Sequence, residues 1–187
     1  LFVDASGSVK LLQVGGSLTI DETTQAINDL YVASVTSLGS VDIEVQAGNM
    51  KVEFVSAQTG ARLAASGSIH DAFNDVAGPI VNVETGDLHL QAGGTIGEAG
   101  NFFDVLVGGD LSGTAGQDIF LNSPATLNIT TLSSTHGDIT LTVQGDVNIG
   151  LMQAREGSVF ITADGRIDDR YNDVTADIEA IRVVLDS

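Results

Sequence analysis

The chain has 187 residues with 7 Lys+Arg against 25 Asp+Glu, a formal net charge of −18, and 43% hydrophobic residues. That negative balance excludes nucleic acid and anionic membrane surfaces as partners, because both repel it. The hydrophobic share excludes a disordered acidic tail, and zero Cys excludes disulfides, thiolate metal sites and cysteine nucleophiles. No apolar run is long enough for a membrane-spanning helix, so no membrane insertion is expected. The chain opens without a basic or signal-like segment and stops in mid-pattern, so it is expected to be a piece of something longer or a processed product.

In chain order, residues 22–28 are expected to hold a helical turn or two. Alternating runs follow at 41–45, 88–90, 139–143 and 159–162, each closed by Gly, Asn, Asp or Ser, the usual strand punctuation. Residues 173–178 offer the other place for a short helical turn. With only Pro79 and Pro124 to interrupt the ladders and 22 Gly to mark corners, the expected class is all-β.

Two periods overlie this pattern. The short one is about 20 residues, seen from Gly39 to Gly60, from Gly137 to Gly157, and from Leu127 to Val147 to Ile167. Its phrase is Gly-polar-aliphatic-x-aliphatic-x-Ala, as in 86–92 and 157–163, with a variant at 137–143. The long period is close to 95 residues: 67–76 matches 165–174 at an offset of 98, with six of ten positions identical. Val14-Gly15-Gly16-Ser17-Leu18 likewise matches Val107-Gly108-Gly109-Asp110-Leu111 at an offset of 93. The expected organisation is one continuous body of two homologous units, roughly 11–103 and 104–187, with 1–10 closing a preceding unit.

A coil of about 20 residues carrying short strands is what a parallel β-helix requires. Coils stacked about 4.8 Å apart pair every backbone group with the coils above and below, and roughly nine coils make a rod on the order of 40–45 Å. The alternative is a tandem pair of β-sandwiches, which explains the long period and leaves the short one without a cause.

Residues 86–101 (Gly-Asp-Leu-x-Leu-x-Ala-Gly-Gly-Thr-Ile-Gly-Glu-x-Gly-Asn), Asp104-Val105-Leu106-Val107-Gly108-Gly109 and Gly165-Arg166-Ile167-Asp168-Asp169 resemble the filamentous-haemagglutinin-like repeats of giant bacterial surface adhesins. The resemblance implies a right-handed parallel β-helix in a secreted, extracellular fibre at the bacterial cell surface. It implies neighbouring repeats of the same or like chains as partners, with a host-surface or matrix ligand besides. It supplies no catalytic residues.

Chemistry-bearing patterns are scarce. There is no nucleophile elbow, P-loop or dinucleotide fingerprint. His70, His89 and His136 are scattered, and zero Trp with only Tyr31 and Tyr171 offers little for stacking sugars. No enzyme is expected. The candidate site is the acidic cluster Asp168, Asp169, Asn172 and Asp173, with its echo Asp71, Asn74 and Asp75, whose oxygens suit Ca²⁺. The competing reading is that these Asn and Asp side chains cap a loop by bonding their own backbone.

The functional expectation is therefore a structural and adhesive segment, a stiff spacer for attachment, cell–cell contact or matrix building. The alternatives are calcium-stiffened cadherin-like repeats and a glycan-binding or glycan-cleaving β-helix.

Overall fold

The computed structural model describes residues 2–5, 9–13, 29–73 and 78–187. The expected helical turn at 22–28 and the candidate ligands Asn74 and Asp75 lie outside the described residues. The first strands are β1 (Phe2–Ala5), β2 (Val9–Gln13), β3 (Leu30–Val32), β4 (Ser34–Ser37), β5 (Ser40–Val45) and β6 (Met50–Val52). They are followed by β7 (Val55–Ala65), β8 (Ile69–Asp71), β9 (Val83–Ala92), β10 (Phe103–Val107), β11 (Asp110–Ala115) and β12 (Ile119–Ser123). The last six are β13 (Leu127–Ser134), β14 (Ile139–Val143), β15 (Val147–Ile149), β16 (Met152–Ala163), β17 (Ile167–Asp169) and β18 (Ile178–Asp186).

Neighbouring strands in these sheets run parallel, as in β5 on β7, β12 on β14 and β16 on β18. The described residues form a β-solenoid of about eight coils of roughly 20 residues, with no helix. A tandem sandwich would be built from antiparallel pairs, so that alternative is excluded. Eight coils replace the nine that length suggests because three coils are well over 20 residues long, the first of them running from Val9 to its partner Val41. Ala61 pairs with Leu88 across residues 66–82, and Met152 pairs with Ile178 across the loop after β17.

The short period is the register itself. Leu127, Val147 and Ile167 are successive partners, as are Ile119, Ile139 and Val159. Alternation sends one face of each strand inward, so β14 reads buried, intermediate, buried, exposed, buried. Val41, Leu88, Leu111 and Ile129 stack in one inward column and are fully or almost fully buried. At the corners the coils approach too closely for side chains: a Cβ on Gly116 would lie 2.0 Å from the carbonyl oxygen of Gly93.

The long period is out of phase with the coil. Ile69 belongs to the column that continues through Ile96, Ile119, Ile139, Val159 and Val183. Its repeat equivalent, Ile167, stands on Val147 and Leu127, a different face. The slip occurs after β12: β13 follows the corner 124–126 directly onto the place above β11, whereas one coil earlier β10, lying on β9, stands between Ile96 and β11. Each corner phrase is satisfied locally and the core asks only for aliphatic side chains, so one phrase serves on any face.

Residues 173–178 form bends up to the start of β18 and no helix. The Asp169 carboxylate accepts the backbone N–H groups of Tyr171, Asn172 and Asp173, and Asp173 accepts that of Thr175. Such side-chain-to-backbone bonds offer these N–H groups an alternative to the helix ladder.

Candidate functional site

The corners explain much of the acidity. Asp118 Oδ1 accepts the backbone N–H of Asp138 at 2.7 Å, and Asp138 Oδ1 accepts that of Ser158 at 2.7 Å. Asp87 does the same for Asp110 at 2.9 Å and Asp146 for Arg166 at 2.8 Å. Each carboxylate ties one coil to the next through a charge-assisted bond. The backbone N–H of Arg166, and then its guanidinium, hold the Asp146 carboxyl below the usual carboxylate range. The sequence signal is an acidic residue directly after a corner Gly, at 86–87, 137–138 and 145–146.

A second polar feature lies inside the solenoid. Asn82 is fully buried and donates through Nδ2 to Val52 O at 2.9 Å and to Asp71 Oδ1 at 2.6 Å. Its own Oδ1 accepts the backbone N–H of Asp104 at 2.8 Å. Asn122 donates to the Asp104 carboxylate from the following coil. Asp71, Asp104 and Asn122 are all buried, so this column pins the loop after β8 to three coils. Asp71 also accepts the backbone N–H of Phe73 at 2.8 Å.

The other expected candidates gather at the opposite end. Asp168, Asp169 and Asn172 line one shallow cleft with Asn128, Asn148 and Arg170, while Asp173 faces its own loop. Asn148 Nδ2 donates to Asn128 Oδ1 at 2.7 Å, and Asp168 is the next register position above Asn148. Arg170 Nη2 donates to Asp110 at 2.7 Å, and its guanidinium lies 5.7 Å from the centre of the Tyr171 ring. Gly150 is required there, since a Cβ would lie 2.7 Å from the carbonyl oxygen of Thr130. The Asp169 carboxylate is committed to three backbone donors. Asp177, missed in the sequence, has its carboxyl pushed up by desolvation and then by Asp169 and Asp173. Among the described residues, no three acidic or His side chains converge on one point.

His70 and His89 sit on separate strands, β8 and β9, and His136 lies in the turn between β13 and β14. His89 Nδ1 lies 2.9 Å from Ser112 Oγ, which resembles a nucleophile–base pair. Its register partner, however, is Arg62, a cation where a triad needs a carboxylate. Burial and then the Arg62 charge push the His89 pKa down. His70 and His136 instead stand 2.8 Å from Glu98 and Glu156.

Scans of protein-family models, curated proteins and solved structures find no match to this chain.

Proposed function

We propose that the chain is a structural, adhesive repeat segment of a secreted bacterial surface fibre of the filamentous-haemagglutinin-like kind. It serves outside the cell as a stiff spacer that projects or links surfaces. The observation that supports this reading is the unbroken register column Val41–Ala61–Leu88–Leu111–Ile129–Ile149–Asp169. Load applied along it is shared by parallel backbone ladders, corner carboxylates and one continuous core. Its partners are neighbouring repeats, and a host or matrix ligand engages the loops. Pulling a single chain between handles tests it: stepwise, coil-by-coil rupture is expected, and smooth extension at low force defeats it.

A glycan-binding role is the second reading, favoured by the cleft of Asn128, Asn148, Asp168 and Arg170 beside the half-exposed Tyr171 ring. Amides, a carboxylate and a guanidinium near an aromatic face suit sugar hydroxyls and ring stacking. Retention on an immobilised polysaccharide that Tyr171→Ala abolishes would establish it.

A further inference from the structure

We propose that a ladder of ring side chains along one outer face of the solenoid binds an extended, uncharged β-linked polysaccharide. The inference does not rest on the fibre reading, and its surface is separate from the cleft beside Tyr171.

The face is built by β3, β6, β8, the bridge residue Ile96, β12, β14 and the second half of β16. Its inward column runs from Leu30 through Ile96 to Val159 and is fully buried. The residue after each inward position points outward, and these outward residues alternate from coil to coil. Rings stand on every second coil, at Tyr31, His70, Phe120 and Phe160, while the coils between them carry Lys51, Gly97 and Thr140. Two strand spacings put neighbouring rings about 10 Å apart, and the four span about 29 Å. All four are partly exposed. They lie on the side of the face, so coils stacked above or below leave them uncovered.

Neither the core nor strand propensity asks for this alternation. The core takes the inward side chains, and Thr140 and Val184 fill the same outward column as well as Phe120 and Phe160 do. The rings are also held in place. The Tyr31 hydroxyl donates to the Glu53 carboxylate, and His70 Nδ1 stands 2.8 Å from Glu98. Phe102 packs 5.6 Å from Phe120, and the Arg182 guanidinium lies 5.5 Å from the centre of the Phe160 ring. The coil between His70 and Phe120 stays empty, because a Cβ on Gly97 would lie 2.3 Å from the carbonyl oxygen of Phe120.

The spacing identifies the ligand. In an extended β-1,4-linked chain successive hexoses are flipped, so every second sugar offers the same apolar face, and that repeat is close to two coils. Rings stack on those faces, and the exposed hydroxyls of Thr142 and Thr162 beside them suit the hydroxyl rim of the sugars. A protein partner would need a contiguous apolar centre, and here polar or empty coils separate the rings. Glu53, Glu98 and Asp138 border the ladder and the whole chain carries −18, so polyuronates and sulfated glycans are repelled.

Titration calorimetry with cellohexaose, which is long enough to follow the ladder, tests this. Cellohexaose should bind, with cellobiose, which reaches one ring, and the α-linked, coiled maltohexaose each at least about tenfold weaker. Phe120→Thr and Phe160→Thr install the residue that the column already carries at Thr140, and each should weaken cellohexaose about fivefold with an unchanged circular dichroism spectrum. Should a variant unfold, the length series decides: affinity must rise from cellobiose through cellotetraose to cellohexaose. Silence toward cellohexaose would overturn the proposal, and self-association lost in Phe160→Thr would then assign the face to a second copy. Equal affinity for maltohexaose would also overturn it. So would cellohexaose binding that both variants leave intact, which would move the sugar to another surface such as the cleft beside Tyr171.

Discussion

The two loops that follow β8 and β17 share a decapeptide, and their fates differ. Asp71 and Asp169 occupy the same place in it and form the same local bond, accepting the N–H two residues on, from Phe73 at 2.8 Å and Tyr171 at 2.7 Å. Asp71 is 6% exposed and gripped by Asn82. Asp169 is exposed and spends its second oxygen on the N–H of Asp173 at 3.1 Å. The sequence motif decides the cap; the coil stacked on top decides whether that cap is buried. A buried polar group is costly to leave unmatched, so Asp71 is built into the core through Asn82 while its twin Asp169 rides on the surface.

Removing the clamp on the buried Asp71 is expected to have the largest effect. Asn82→Ala removes a buried donor from the Asp71 carboxylate and the side-chain acceptor from the Asp104 N–H, and should cost about 3 kcal/mol in urea unfolding; a loss below about 1 kcal/mol would erase the distinction between Asp71 and Asp169. Next, Asp71→Ala should cost about 2 kcal/mol and Asp169→Ala about 1 kcal/mol, since only the first loses a buried acceptor. Equal losses would mean that the local turn alone matters.

Asn172 sharpens the exposed side of the comparison, because its φ is 49°. Asn172→Gly should be neutral or slightly stabilising, while Asn172→Ala should cost about 1 kcal/mol, because Ala lacks the short polar side chain that lets Asn adopt the left-handed region. The smallest effect is a pH dependence. The hydroxyl of Thr175, then its backbone N–H, lower the Asp173 pKa from an ordinary 3.8. A depressed folded pKa means that the bond contributes fully above the ordinary value and is lost as pH falls through the folded one. The Thr175 amide resonance should therefore shift only in acid below about pH 3.8, and Asp173→Asn should abolish that transition.

The fold was legible because its rule is local. Aliphatic alternation and 20-residue spacing place Leu127, Val147 and Ile167 in one column before any coordinate is known. The phase slip after β12 was hidden, because the phrase at 86–92 and the phrase at 157–163 read alike while lying on different columns. The loop caps were legible as Asn and Asp chemistry. Asn82 was not: it stands between Val81 and Val83, outside every repeated phrase, and its role arises from coils 22 and 30 residues away. The corner carboxylates Asp87, Asp138 and Asp146 were visible as Gly-Asp pairs, while Asp118 follows Gln117, and the partners belong to the next coil, which no pairwise motif names.

The central claim is that the coils form one rigid stack. Because the chain has no Cys, Ser40→Cys and Asn148→Cys place two spin labels without background. Their positions belong to one outward column, Ser40, Gly60, Asp87, Asp110, Asn128 and Asn148, five rungs apart. Pulsed dipolar spectroscopy should give a single narrow distance near 24 Å, set by the strand spacing. A broad distribution, or a distance well beyond that, would contradict the stack.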